Sequence, residues 1–375
     1  MNFRLDERLE WASTLPSRFY TDPRYLDLEN RSLFGRTWQL AGRSEQVSEP
    51  GRYFTTTIAG EPLLVVRGSD GELRALSNVC RHRAGPVAAG EGKRPVLQCG
   101  YHGWTYALDG RLLNTPEMDG VCGFDRASVA LPRFSVAEWN QLVFLNLDPG
   151  APPLTDFLGD LATALERRDH RGFRLAARKV WEVGCNWKVY VDNYLEGYHI
   201  PIVHPGLFRE IDYANYRTET KRNYSIQHAP LRSADRIRVK EGEEDVDYFW
   251  IFPNLMLNVY PDNFSTNLIL PLGHGRTLTV FEWYFRDPDD PAVKRKIEET
   301  IAFSDEIQIE DIAICEAVQR GLQSPTYESG RYSPKRENGV HHFHRLYCEA
   351  MGLLSASAAE PSLLPPPPAS PSPAR

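Results

Sequence analysis

A chain of 375 residues is long enough for two domains, or for one large domain carrying an insertion. Its 42% hydrophobic and 25% charged residues match an ordinary soluble globular protein. A formal charge of -7, with no basic run longer than the Lys294-Arg295-Lys296 triplet, argues against nucleic acid as a partner and leaves small molecules and other proteins.

Residues 1–36 begin MNFRLDERLEWASTLP, which lacks a positive region followed by an apolar run and a small-residue cleavage site, and no stretch elsewhere approaches eighteen apolar residues. A cytoplasmic protein with no membrane span is expected. This opening segment reads as helical and packs on a later domain. From 37 to 155, short extended runs such as RTWQLAG, EPLLVVRG and FSVAEWNQLVFLNL are broken by Gly, Asp and Pro. Ser69-Asp70-Gly71 and Asp109-Gly110 have the composition of hairpin turns, so this is a small all-β domain.

Beyond Pro152-Pro153 the character changes. DFLGDLATALERR predicts a helix, three β-rich runs between residues 246 and 286 predict an antiparallel sheet with one buried face, and a final long helix runs from about Pro291 to Leu322. Residues 156–350 are thus a second domain of helices on an antiparallel sheet, and the chain as a whole is α+β. Residues 351–375 are dominated by Pro, Ala and Ser and predict a disordered tail.

Two short segments in the first domain carry metal chemistry. Cys80-Arg81-His82 and Cys99-Gly100-Tyr101-His102 each offer one thiolate and one imidazole. Such a quartet suits a single tetrahedral zinc, or a [2Fe–2S] cluster with both sulfurs on one iron and both nitrogens on the other. The Cys-first order, the placement at the ends of β-runs, the tight backbone of Gly85-Pro86, Gly100 and Gly103, and the apolar wall of Trp104 favour the cluster. Cys122, Cys185, Cys315 and Cys348 have no local partners and are expected as small buried residues in a reducing compartment.

The second domain holds a different donor set. The stretch from Asn186 to His199 predicts a helix of about four turns, ended by Pro201 and Pro205, which places Asp192, Glu196 and His199 on one face. Burying two carboxylates and an imidazole together is costly unless they are paired or bind metal. His204, past the break, can turn back to the same point, and two imidazoles with one carboxylate make a facial triad for ferrous iron. The carboxylate is sought far along the chain. In EIQIEDIAICEAVQRGL the residues Ile307, Ile314, Val318 and Leu322 define an apolar stripe with Asp311 near its centre, Glu310 at its edge and Glu316 opposite. An ionised Asp on a buried face needs a partner, which selects Asp311. His341, His342 and His344 form a polar cluster able to pick up adventitious metal.

NVCRHRAG and CGYHGWTY resemble the two Rieske loops of the aromatic-ring-hydroxylating oxygenase family, with Gly100 where many members have Pro. DNYLEGYHIPIVH and EDIAICEAVQRGL resemble its iron-binding segments, and the likeness spans about residues 10 to 345. The resemblance implies that Cys80, His82, Cys99 and His102 hold a Rieske cluster, and that His199, His204 and Asp311 hold mononuclear Fe(II). It implies that Glu196 links the two centres across a subunit boundary, with Asp192 and Asn193 as further candidate catalytic residues. It also implies an O2-dependent mono- or dioxygenase alpha subunit, a head-to-tail homotrimer of one kind of chain, and a flavin/iron-sulfur reductase or ferredoxin drawing on NAD(P)H. Within the family, NWKVYVDNYLEGYH and the late helix most resemble the branch of choline monooxygenase and the betaine- and carnitine-processing oxygenases. That branch implies a quaternary ammonium substrate, for which Tyr248, Trp250, Phe252, Tyr260 and Phe264 are candidate pocket residues, through cation–π attraction. The same aromatics would line a cavity for an aromatic ring undergoing cis-dihydroxylation. A zinc-stabilised binding module would need the first quartet alone, and a Rieske ferredoxin would need nothing of residues 186–322.

Overall fold

The structure, a computed structural model, describes residues 3–165, 172–232 and 245–353, so the tail expected to be disordered lies outside the described residues except for 351–353. The chain opens with helices α1 (Arg18–Thr21) and α2 (Arg24–Glu29), continued by a π-helical turn at Asn30–Phe34. Leu15, Phe19, Tyr25, Leu33 and Phe34 join one apolar core with Trp187, Tyr190, Trp250 and Phe343, so this segment packs on the later part of the chain. A fully buried Lys188–Glu29 ion pair locks it there. Glu29 also accepts hydrogen bonds from Trp187 Nε1 at 2.7 Å and Tyr347 Oη at 2.8 Å, which satisfies a carboxylate that would otherwise be expensive to bury.

Ten short strands follow: β1 (Gln39–Arg43), β2 (Arg52–Ile58), β3 (Glu61–Arg67), β4 (Leu73–Ser77), β5 (Glu91–Lys93), β6 (Leu97–Gln98), β7 (Thr105–Tyr106), β8 (Leu112–Asn114), β9 (Arg133–Trp139) and β10 (Leu142–Asn146). They form a seven-stranded sheet of order β1-β10-β9-β4-β3-β2-β5 and a separate three-stranded sheet β6-β7-β8. Both expected hairpin turns are present: Gly71 joins β3 to β4 at φ 83° and Gly110 joins β7 to β8 at φ 90°, left-handed conformations that glycine adopts freely. The helix expected in DFLGDLATALERR is two short pieces, α3 (Leu154–Leu158) and α4 (Leu161–Leu165), parted by Gly159 at φ 59°.

The second unit is a seven-stranded antiparallel sheet. Its strands are β11 (Arg174–Val183), β12 (Arg217–Thr220), β13 (Tyr224–Pro230), β14 (Asp245–Ile251), β15 (Leu255–Val259), β16 (Asn263–Gly273) and β17 (Arg276–Phe285), in the order β11-β17-β16-β15-β14-β13-β12. The stretch expected to hold three β-runs holds four strands, because the segment after Phe252 turns back into β15. Helices α5 (Trp187–Tyr194), α6 (Ile200–Val203), α7 (Pro205–Glu210), α8 (Pro291–Leu322) and α9 (Asn338–Ala350) complete it. The long helix spans the range read from the sequence, yet it is not the last: α9 follows, with Val340, Phe343 and Tyr347 buried. Its His341, His342 and His344 are buried too, so they are core histidines and not a surface cluster. Cys185, Cys315 and Cys348 are buried free thiols as expected, whereas Cys122 is exposed on a glycine-flanked loop. Among the described residues no helix is long and apolar enough to cross a membrane.

Candidate metal centres and cavity

The first quartet lies on two loops that face each other, Cys80 and His82 between β4 and β5, Cys99 and His102 between β6 and β7. Both sulfurs are buried while His102 is exposed, so the sulfur end faces the core and an imidazole faces outward. The loops approach so closely that a Cβ on Gly85 would lie 3.0 Å from Cys99 Sγ, which explains glycine there. Gly100, by contrast, has open space around it. The His82 ring stacks on Trp104 at 4.9 Å and 8°, and the His82 and His102 rings sit 4.7 Å apart. His82 Nδ1 is buried with no hydrogen-bond partner, an orphan that a metal would satisfy. Tyr106, which no motif singled out, accepts the Arg81 N–H at 2.9 Å, which leaves its hydroxyl to donate toward Cys80 Sγ at 3.2 Å. Donors of this kind tune a cluster's sulfurs.

The second donor set converges from three elements. His199, His204 and Asp311 offer ligand atoms all within 4.8 Å of one another, and among the described residues they are the group close enough to share one ion.

Each ring of the trio is held from behind by a carboxylate. His199 Nδ1 meets Glu196 Oε1 at 2.6 Å and His204 Nδ1 meets Glu310 Oε2 at 2.7 Å. With the Nδ1 protons so placed, both Nε2 lone pairs face Asp311 Oδ1, at 3.8 Å and 3.0 Å. Lone pairs facing a carboxylate repel unless a cation lies between them. Burial pulls the His204 imidazole down, but Asp311 and Glu310 outweigh it and the net shift is upward, the mark of a site arranged for positive charge. Asn193 Nδ2 donates to the same Asp311 Oδ1 at 2.6 Å and fixes its orientation. Glu310, read from the sequence only as a stripe-edge residue, is thus an equal counterpart of Glu196. Two acidic residues in succession on α8 were the one signal of it.

The expected four-turn helix does not form. α5 ends at Tyr194, and Leu195–Tyr198 turn out of the helix before α6. Glu196 captures the Tyr198 and His199 N–H groups with its own side chain, a local bond that competes with helix continuation. Asp192 consequently leaves the metal site. It accepts from Tyr20 Oη at 2.7 Å and meets His344 Nε2 at 2.9 Å, on the side facing α1 and α9. On α8, Asp311 is where the sequence put it for a different reason: Val318 of the expected stripe is exposed, and the buried line runs through Ile297, Gln308, Cys315 and Gln319. Asp311 lies at the edge of that line, facing the cavity. Glu316, on the far side, accepts the Gly184 N–H at 3.0 Å.

A cavity of about 160 Å³ opens from the trio, lined by α8, by the cavity face of β14–β17 and by the α5–α6 turn. Of the aromatic candidates, Tyr248 and Tyr260 line it, joined by Tyr194, Tyr216, Phe303 and Trp283. Three other candidates do not. Trp250 is fully buried beneath α9, its ring against Phe343 and its Nε1 bonded to Pro253 O, and Phe252 packs on Trp250. Phe264 faces the opposite side of β16, stacked on Tyr284 at 4.5 Å, because neighbouring strand residues alternate faces. Carboxylates of Glu196, Asp262, Glu299 and Asp311 also line the cavity.

Comparison with known proteins agrees with this layout. Residues 37–133 match the Rieske [2Fe-2S] domain and residues 171–353 the ring hydroxylating alpha subunit catalytic domain. The chain is 37% identical to the chloroplastic choline monooxygenase of Arabidopsis thaliana over 361 residues, covering 90% of this chain and 83% of that one. It is 33% identical to the carnitine monooxygenase oxygenase subunit of Escherichia coli strain K12, covering 93% and 96%. A solved quaternary ammonium Rieske monooxygenase, described for carnitine oxidation and inter-subunit electron transfer, superposes with a TM-score of 0.85 at 30% identity, covering 94% of this chain and 100% of that one. With two matched domains, a fitting donor set for each metal group and full-length relatives, the chain belongs to the Rieske-type oxygenase alpha subunits, in the branch of the choline and carnitine monooxygenases.

Proposed function

We propose that the chain is the oxygenase component of a monooxygenase acting on a small quaternary ammonium compound, by hydroxylation of a carbon near the nitrogen. The observation that carries this reading is the cavity beside the trio, where tyrosines 194, 216, 248 and 260 share the walls with four carboxylates. Aromatic faces and acids together favour a weakly hydrated cation over a neutral hydrocarbon ring. Tyr194 is held by hydrogen bonds to Phe249 O at 3.1 Å and Asn258 Oδ1 at 2.9 Å, and Tyr216 by Gln227 Oε1 at 2.8 Å, so these rings are fixed in advance of binding.

Cys80, His82, Cys99 and His102 would hold a [2Fe–2S] cluster and His199, His204 and Asp311 a ferrous ion, which together supply single-electron delivery and oxygen activation when bound. The remaining residues position. Glu196 and Glu310 fix the two imidazoles, Asn193 fixes the carboxylate, and Gln308 holds Tyr190 at the cavity floor. Insertion of one oxygen atom into a C–H bond with reduction of the other to water consumes two electrons and two protons. The electrons are assigned to a flavin/iron-sulfur reductase or ferredoxin that draws on NAD(P)H. A head-to-tail homotrimer, pairing the cluster of one chain with the trio of its neighbour through Glu196, is supported by exposed apolar residues at both places: Tyr101 beside His102, and Tyr198 and Ile202 beside His199. A cytoplasmic setting is supported by the free cysteines.

The test is a panel of choline, glycine betaine, carnitine and simple aromatics assayed with reductase and O2. Oxygen-dependent consumption of a trimethylammonium compound is expected, with formaldehyde when an N-methyl group is attacked. A cis-diol from an aromatic, with no ammonium compound consumed, would refute the reading.

A further inference from the structure

The cavity has a second end. Lys296 and Asp311 both line it and lie on the same helix, fifteen residues apart, which by helical rise is about 22 Å. A small substrate held against the trio does not reach the first turns of α8. There Lys296 Nζ meets Asp262 Oδ2 in an ion pair that crosses from α8 to the turn between β15 and β16. Each of these two side chains keeps 34% of its surface exposed, whereas His204, Gln308 and Trp283 at the inner end are buried. One turn on, Glu299 is exposed and lies 3.8 Å from Arg295. The Lys296–Asp262 ion pair thus bridges the solvent end of the cavity.

We propose that the Lys296–Asp262 pair is an electrostatic latch at the cavity mouth that governs the entry of organic cations, and so sets specificity at a distance from the metal centre. A trimethylammonium ion has no N–H to donate, so it is attracted by charge and by aromatic faces alone. At the mouth it competes with Lys296 for the Asp262 carboxylate. Lys296 opposes it twice, by repelling the cation and by neutralising the acid. Past the latch the cation meets Tyr260 and Tyr248, whose rings lie 6.3 Å apart at 81°. The biological meaning rests on the quaternary ammonium reading above, but the latch itself concerns any small cation.

The experiment uses the holoenzyme and tetramethylammonium chloride as the probe, titrated by calorimetry at low ionic strength. Lys296→Met should bind it about fivefold more tightly than wild type, Asp262→Asn about fivefold more weakly, and the double variant should return near wild type. In about 1 M salt, where the screening length is about 3 Å, the differences should vanish. With a carboxylate-free trimethylammonium substrate, KM should follow the same order. Equal affinities, a reversed order, differences that survive salt, or no binding by any variant would each overturn the latch. If the affinities rank as stated but the wild type oxidises no ammonium compound, the latch stands and the substrate reading falls.

Discussion

At Asp311 a single carboxylate oxygen serves Asn193 at 2.6 Å, His204 at 3.0 Å and His199 at 3.8 Å, so one atom fixes the spacing of the whole trio. His199→Ala or Asp311→Ala should abolish oxygenation and Fe(II) binding while leaving the cluster's visible absorption intact, and unchanged product formation in either would remove the trio's assigned role. The carboxylates behind the rings should matter nearly as much. Glu310→Ala should weaken Fe(II) affinity about 10–100-fold in titrations of iron-depleted protein, and Glu310→Gln should recover most of it because an amide oxygen still accepts the Nδ1 proton. The aromatic residues divide by location: Tyr248→Ala should raise KM for a cationic substrate, whereas Trp250→Ala should cost about 3–5 kcal/mol of stability in chemical unfolding and leave KM alone.

At the scale of elements, the turn between α5 and α6 is gripped from two sides. A Cβ on Gly197 would meet the Tyr216 ring at 2.7 Å, and a Cβ on Gly339 at the start of α9 would meet Leu195 O at 2.4 Å. Gly339→Ala should displace the turn that carries Glu196, slowing substrate-dependent reoxidation of the reduced cluster in stopped flow while the cluster's own spectrum stays unchanged. The same helix makes stability depend on pH. Burial, with help from Arg345, lowers His342 from 6.5 to about 4. The unfolded chain takes up this proton as pH falls through about 6.5 and the folded chain only near 4, so stability present above 6.5 is lost across that window, by about 3 kcal/mol at its acid end. His342→Gln should flatten the fall in unfolding midpoint between pH 7 and pH 5.

At the scale of the whole molecule, the proposed trimer makes a prediction no single-chain mechanism shares. A Cys80→Ala chain lacks the cluster and an Asp311→Ala chain lacks the iron, and each alone should be inactive. Co-expressed in equal amounts they should recover about a quarter of wild-type activity, because each head-to-tail contact then draws its cluster and its iron from different chains. No recovery in verified mixed oligomers would confine electron transfer to one chain.

Local chemistry in the sequence was enough for the two Cys/His loops, the Gly71 and Gly110 turns and the bounds of α8, since spacing, turn residues and helical periodicity are properties of neighbouring residues. It did not show the break of α5 at Tyr194, where the Glu196 side chain takes the Tyr198 and His199 N–H groups and where Tyr216 and Gly339, from distant strands and helices, close on the turn. For the same reason Asp192 went to His344, Glu310 to His204, and Trp250 and Phe264 into the core. A side chain's polarity is written locally, but its partner is chosen by which surfaces the sheet and helices bring together, and that choice belongs to the tertiary structure.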